Sequence, residues 1–270
     1  MNFFLKIRRL LPLYRFGCLW APMIGDEIFD GLIVGRSYEQ NEIDFVKSFL
    51  DKGNSFLDIG ANFGLYSIIA AKIVGKNGKV FSIEPEPRNL KRLKRNLILN
   101  RVSVDVIPIA VGETEGEVEF CSCSQGAYSG LKLSTVPGKV KKIMVPKNTL
   151  DNLSERYHWS NIDLLKMDVE GAELLVLMGG ELFFQKTNRP VILIEFNDNR
   201  SAVYGWNCSQ VYNWLIYWNY DFFSFNSEGN LIPHVKKEYY GYENLVVIPK
   251  EKLGLMIDHF KTVKRGMFNC

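Results

Sequence analysis

The stretch Ser55-Phe-Leu-Asp-Ile-Gly-Ala-Asn-Phe-Gly-Leu-Tyr-Ser67 decides how this chain folds. Phe56, Leu57 and Ile59 make a short apolar run of the kind that forms a buried strand, and Leu65 to Val74 reads as an apolar helix. Between them Gly60 and Gly64 open a tight loop, where a ligand can approach the main chain and the helix start presents unpaired N–H groups and a positive dipole end. The Gly-Lys-Ser/Thr ending of a phosphate loop is missing, and the two glycines lie four apart with Asn62 between them, so this is not the Gly-x-Gly-x-x-Gly dinucleotide fingerprint either.

Asp58 narrows the ligand. A carboxylate at the mouth of the loop repels a pyrophosphate and suits a cationic group. A second strand, Lys79-Val-Phe-Ser-Ile-Glu-Pro85, ends in Glu84, 24 positions beyond Gly60. An acid at that strand end typically takes the two hydroxyls of a ribose. A nucleoside with a cationic tail and no phosphate points to S-adenosylmethionine, with Glu39, Asp58, Gly60, Ala61, Asn62, Gly64, Glu84 and Asp168 as the expected cofactor-binding residues.

The 270 residues are 47% apolar, enough for one large α/β domain with its own core. A net charge of +3, spread over both signs, gives no electrostatic case for a nucleic-acid partner. Five cysteines without a Cys-x-x-Cys pair make neither a disulfide framework nor a structural zinc site, and a reducing cytoplasm is the expected location. Met1 to Pro22 carries Lys6, Arg8, Arg9 and Arg15 with no acid, interleaved with apolar residues. Charges interrupt it too often for a membrane span, but a basic amphipathic helix there would suit peripheral contact with a membrane surface.

Along the chain, Phe29 to Ser37 suggests a hairpin and Asn41 to Lys52 a helix. Pro87 to Asn100 is a helix with a solvated basic face, Val102 to Val111 a third strand, and Gly116 to Cys123 with Val140 to Val145 an antiparallel pair. The segment Ser124 to Gly130 reads as a loop over a pocket. Ile162-Asp-Leu-Leu-Lys-Met-Asp-Val-Glu-Gly171 is the second chemical centre: a strand whose end carries Asp168 and Glu170, followed by a helix from Ala172 to Lys186. A fifth strand, Val191 to Phe196, carries Glu195 near its end. Ligand crevices of open α/β sheets lie beyond the carboxyl ends of the strands, so these acids face the chemistry. The alternation gives a doubly wound, mostly parallel sheet with an antiparallel member at one edge.

Asp168, Glu170 and Glu195 are the expected catalytic residues, with His158 a further base candidate. Asp168, Glu195 and Asp198 have the oxygen donors a magnesium ion takes, but the cofactor and helix starts account for those acids and no metal is assigned. Lys166 and Glu173 read as an ion pair. Tyr204, Trp206, Trp214 and Trp218 are either core or a stacking wall for carbohydrate. Where base-methylating enzymes carry Asn/Asp-Pro-Pro-aromatic, this chain has Asp168-Val-Glu-Gly171, which argues against a nucleic-acid base as substrate.

The set Leu57-Asp-Ile-Gly-Ala-Asn-Phe-Gly64, Glu84-Pro-Glu-Pro87 with Asn96 and Asn100, Thr149-Leu-Asp151 and Leu165-Lys-Met-Asp-Val-Glu-Gly-Ala-Glu173 resembles the FkbM-type methyltransferases. The resemblance implies the seven-stranded class I methyltransferase fold, S-adenosylmethionine as cofactor, and O-methylation of a hydroxyl on a sugar, glycan or secondary metabolite. It divides the chain into an N-terminal extension over 1–37 holding a helix and a hairpin, a methyltransferase domain over 38–250 with an inserted antiparallel hairpin, and a tail over 251–270. A nicotinamide-dependent oxidoreductase and a non-catalytic glycan-binding protein on the same scaffold are the competing readings.

Overall fold

The computed structural model describes residues 11–22, 29–31, 39–123, 130, 140–186 and 188–256. Its centre is a sheet in the order β12-β11-β13-β10-β9-β3-β4-β5, where β3 is Ser55–Ile59, β4 Lys79–Ile83, β5 Asp105–Ile107, β9 Leu164–Met167, β10 Val191–Phe196, β11 Tyr220–Phe225, β12 Leu231–Pro233 and β13 Glu243–Pro249. Within it β10, β9, β3, β4 and β5 run parallel, so every connection between them crosses over, and their carboxyl ends lie along one rim.

The strands alternate strictly across the sheet. Phe56, Leu164 and Leu193 enter one core layer, and Leu57, Ile59, Leu165, Met167, Ile192 and Ile194 enter the other. The first layer is covered by α1 (Gln40–Phe49) and α2 (Leu65–Val74). Helix α2 has eight of its ten residues buried, as a helix apolar on nearly every face must. Helix α3 (Pro87–Asn100) starts with a proline in its first turn and is capped by Glu86, whose carboxylate accepts from Asn89 N at 2.6 Å.

Several expectations change in the folded chain. The main sheet has eight strands, because β12 adds to the expected seven; it is the antiparallel member expected at one edge, and a second antiparallel strand, β13, lies inside the sheet between β10 and β11. The expected third strand is split into β5 and β6 (Ala110–Val111), and β6 leaves the main sheet to pair with β8 (Val140–Asn148), itself antiparallel to β7 (Gly116–Cys123). The helix expected from Ala172 to Lys186 breaks into α5 (Glu173–Met178) and α6 (Glu181–Phe184). A Cβ on Gly179 would lie 2.1 Å from Gly112 O, so two backbones meet where the helix breaks. Asp151, at the start of α4 (Leu150–Arg156), caps the second piece by accepting from Leu182 N and Phe183 N at 3.1 and 2.7 Å.

The N-terminal segment is not helical over its described part. β1 (Leu13–Arg15) and β2 (Cys18–Trp20) form a small antiparallel hairpin, which α3 clamps. Asn100 exchanges two hydrogen bonds with Leu19, and Asn96 Oδ1 accepts from Ala21 N at 2.8 Å. Trp20 is fully buried, edge-on to Phe63. Of the hairpin expected over Phe29 to Ser37 only Phe29 to Gly31 is described, as a helical turn; the rest of it, the first ten residues, residues 124–129 of the expected loop and the residues beyond 256 lie outside the described residues. Among the described residues no helix is long and apolar enough to cross a membrane.

Candidate active site

The ends of β3, β4 and β9 are laced together by main chain. Gly60 N and Ala61 N both donate to Ile83 O at 3.0 Å, and Asp168 N donates to Ile59 O at 3.1 Å. Gly60 sits at φ +85°, and a Cβ there would lie 1.9 Å from Asp168 O. Only glycine lets the two strand ends touch, which explains this residue better than turn formation alone. Asn62 follows at φ +51°, a left-handed conformation that asparagine tolerates, and Gly64 then caps α2 at φ +91°.

Asp58 and Glu84 flank that loop. Asp58 is 1% exposed; its Oδ2 accepts from Ser67 Oγ at 2.5 Å, and Ser82 Oγ donates onward to Ser67 Oγ at 2.6 Å. Its Oδ1 is buried without a partner, as is Asn62 Oδ1. Burial pushes the Asp58 carboxyl above its ordinary range. Glu84 accepts from Asn62 N at 2.7 Å and from Glu86 N at 2.8 Å, and burial raises it to about 7 despite those two donors.

The opposite wall is acidic. Asp168 Oδ2 receives Lys166 Nζ at 2.9 Å. Glu170, at φ +56°, is held by Arg200 Nε at 3.0 Å, and burial followed by repulsion from Asp168 lifts it to about 8. Glu195 rises well above the carboxylate range, first through burial and then through Asp168, Glu170 and Glu173. The three expected catalytic carboxylates therefore form one cluster. Glu39, with φ 44°, lies within electrostatic reach of Lys166 and Asp168; Tyr66 OH donates to its Oε2 at 2.7 Å and Tyr242 OH to its Oε1 at 3.2 Å.

Other expectations separate. Lys166 does not pair with Glu173, which instead accepts from Val169 N and Gly171 N and stiffens the turn after β9. Asp198 is structural, accepting from Cys208 N and Tyr240 N at 2.7 Å each, so it is no metal ligand beside Asp168 and Glu195. His158 lies at the amino ends of the strands, with Ser55 and Lys79 around a polar cavity of about 110 Å³, on the wrong side of the sheet for a base. The aromatic set divides. Tyr204 stacks on Trp206, whose Nε1 donates to Gly171 O at 3.1 Å beside the acidic cluster, whereas Trp214 packs on Phe184 and Trp218. Tyr66, Arg200 and Tyr242 were not singled out by the sequence. Tyr66 and Tyr242 reach Glu39 by tertiary folding, with no local pattern to mark them.

A methyltransferase FkbM domain matches residues 58–223, more than half of the chain. The chain belongs to the FkbM methyltransferase family. S-adenosylmethionine is the cofactor of that family, and the residues present fit it: beside the loop that follows β3, two buried acceptors, Asp58 Oδ1 and Asn62 Oδ1, await a donor. The match begins at Asp58, so Glu39 and Tyr242 lie outside it.

Among characterised relatives, the hexuronic acid methyltransferase AglP of Haloferax volcanii is 28% identical over 158 residues, 58% of this chain and 62% of that protein, so under two thirds of its length is spanned. The protein-L-isoaspartate O-methyltransferase 2 of Archaeoglobus fulgidus is 36% identical over 64 residues, 24% of this chain and 28% of its own. A candidate rRNA methylase structure from Clostridium thermocellum superposes with a TM-score of 0.50 at 9% identity, covering 77% of this chain and 93% of that one, which speaks for the fold alone. The nicotinamide-dependent oxidoreductase reading gives way to the family match, and nothing supports the non-catalytic glycan-binding one.

Proposed function

We propose that this methyltransferase transfers the methyl group to a hydroxyl oxygen of a sugar, glycan or secondary metabolite. The observation that carries the reading is the position of Asp168: its main chain touches Gly60 of the cradle, and its side chain belongs to the acidic cluster with Glu170 and Glu195. When bound, S-adenosylmethionine supplies a methyl group already activated on a sulfonium. The protein's own work is to align an acceptor oxygen and take its proton.

Asp168 suits that role best. It is the carboxylate of the cluster with a lysine at 2.9 Å, and its side chain keeps 26% of its exposure against 16% for Glu170. Glu170 and Glu195, both raised by burial, serve as hydrogen-bond donors to acceptor oxygens near neutral pH. Asp58 and Glu84 hold the cofactor's cationic tail and ribose, and Glu39 closes the pocket edge through its two tyrosines. The Tyr204 and Trp206 stack beside Gly171 offers a flat surface on which a sugar ring can lie. The name of the Haloferax relative supports a sugar acceptor. Four described cysteines are buried free thiols, which suits a reducing compartment such as the cytoplasm.

Calorimetry with S-adenosylmethionine tests the cradle: Asp58→Ala or Glu84→Ala should weaken binding by more than about tenfold, and unchanged affinity in both removes the assignment. Methyl release to a panel of glycans tests the rest. Asp168→Asn is expected to lose turnover while keeping its unfolding midpoint, and normal turnover there would move the base elsewhere.

A further inference from the structure

Lys166 is the one charged residue of β9, on the layer that otherwise receives Phe56, Leu164 and Leu193. It is 6% exposed. Asp58 is its register partner on β3, Asp168 is 2.9 Å away at the end of its own strand, and the Tyr66 ring lies 4.8 Å from its ammonium. That tyrosine in turn donates to Glu39. Burial works against a charge here, yet Asp168, Asp58 and Glu39 outweigh it and hold Lys166 above the ordinary lysine range. A buried ammonium persists only where carboxylates compensate it. Three carboxylates from three different elements share this single cation.

We propose that Lys166 is a positioning residue that sets the charge of the methyl-transfer pocket, joining the cradle carboxylate Asp58 to the acceptor-side carboxylate Asp168 so that the pocket does not hold the charged donor far more tightly than the neutral demethylated product. The proposal rests on the reading of the cradle and of Asp168 given above. Methyl transfer breaks the S–CH3 bond and forms an O–CH3 bond, the sulfonium becomes a neutral thioether and the hydroxyl proton passes to Asp168, so the cradle side of the pocket loses one positive charge as the reaction proceeds. Uncompensated carboxylates would bind the charged donor most tightly and oppose that loss, because only interactions stronger in the transition state than in the ground state accelerate a reaction. The ammonium of Lys166 offsets them from within the fold, where solvent screening is weak.

The test is calorimetric titration of the full chain, at low salt, with S-adenosylmethionine and with S-adenosylhomocysteine, which differ by the methyl group and its charge. Lys166→Met should raise the preference for the sulfonium by about fivefold or more over the wild type, the order expected for one unit charge in a partly screened pocket. Lys166→Arg should leave the ratio unchanged, and Asp168→Asn should lower it. The double variant Lys166→Met with Asp168→Asn removes the pair together and should return the ratio to the wild-type value. A purely structural lysine would weaken both ligands in Lys166→Met by the same factor, and that result overturns the proposal. If Lys166→Met does not fold, the comparison of Asp168→Asn with the double variant decides, and equal ratios in those two overturn it. A wild-type chain that binds neither ligand removes the cradle reading itself, and the proposal with it.

Discussion

The two faces of β3 and β9 are built from the same five-residue and four-residue strands, yet they do different work. One face carries Leu57, Ile59, Leu165 and Met167, all at most 1% exposed and packed among apolar neighbours. The other carries the apolar Phe56 and Leu164 and then, toward the rim, Asp58 and Lys166 side by side in register, with Ser82 on the far flank of Asp58. Burial favours the first face throughout and penalises the charged pair on the second, where the Asp58 carboxyl rises in pKa as a result. The molecule accepts that penalty on one face only, near the rim where strand ends meet the pocket. Stability comes from the apolar residues of both layers and ligand chemistry from the charged pair at the rim.

The largest effect that would break this contrast is at the point where the strand ends touch. Gly60→Ala puts a Cβ 1.9 Å from Asp168 O at φ +85°, and should cost more than about 3 kcal/mol of stability in denaturant unfolding along with all measurable cofactor binding. A stable Gly60→Ala variant that still binds would mean the strand ends are not held this closely.

Opposed substitutions on the two faces sharpen the contrast. Leu165→Ala should cost about 2–5 kcal/mol while a folded fraction keeps its affinity for S-adenosylmethionine. Asp58→Asn should lose affinity with little or no loss of stability, because a raised carboxyl already disfavours its charged form in the fold. If thermal unfolding instead ranks Asp58→Asn as the more damaging, the polar row is part of the structural core.

The smallest effect lies in the pH dependence of the free protein. Burial lifts Glu84 and Glu173 to about 7 in the fold, above the ordinary 4.5 of a glutamate. A raised acid binds its proton more tightly folded than unfolded, so its contribution is full below about pH 4.5 and is lost as pH rises through about 7. Unfolding midpoints of the free protein should therefore fall between those values, and Glu84→Gln should flatten the decline. A midpoint that rises across the window contradicts the burial of these carboxyls.

How much of this was legible beforehand follows from how local each signal is. Asp58, the loop glycines, Glu84, Asp168, Glu170 and Glu195 stand at strand ends, and strand ends can be read from apolar runs and turn residues. The role of Gly60 was half legible: its turn is local, but its contact with Asp168 crosses between strands. Lys166 was visible as a charge in an apolar strand, yet its partner was misassigned to Glu173, because sequence spacing does not say which neighbouring strand lies alongside. The break at Gly179 and the departure of β6 from the main sheet depend on backbone contacts between distant segments, which no periodicity records.

By itself, the sequence determined the alternation of strands and helices and the acids and glycines at the strand ends, because burial patterns and turn residues act over a few positions. Only the tertiary structure decided that Lys166 sits between Asp58 and Asp168, that Tyr66 and Tyr242 hold Glu39, and that Asp198 and His158 lie apart from the acidic cluster. Those outcomes depend on strand order and register, which are settled when the whole sheet packs.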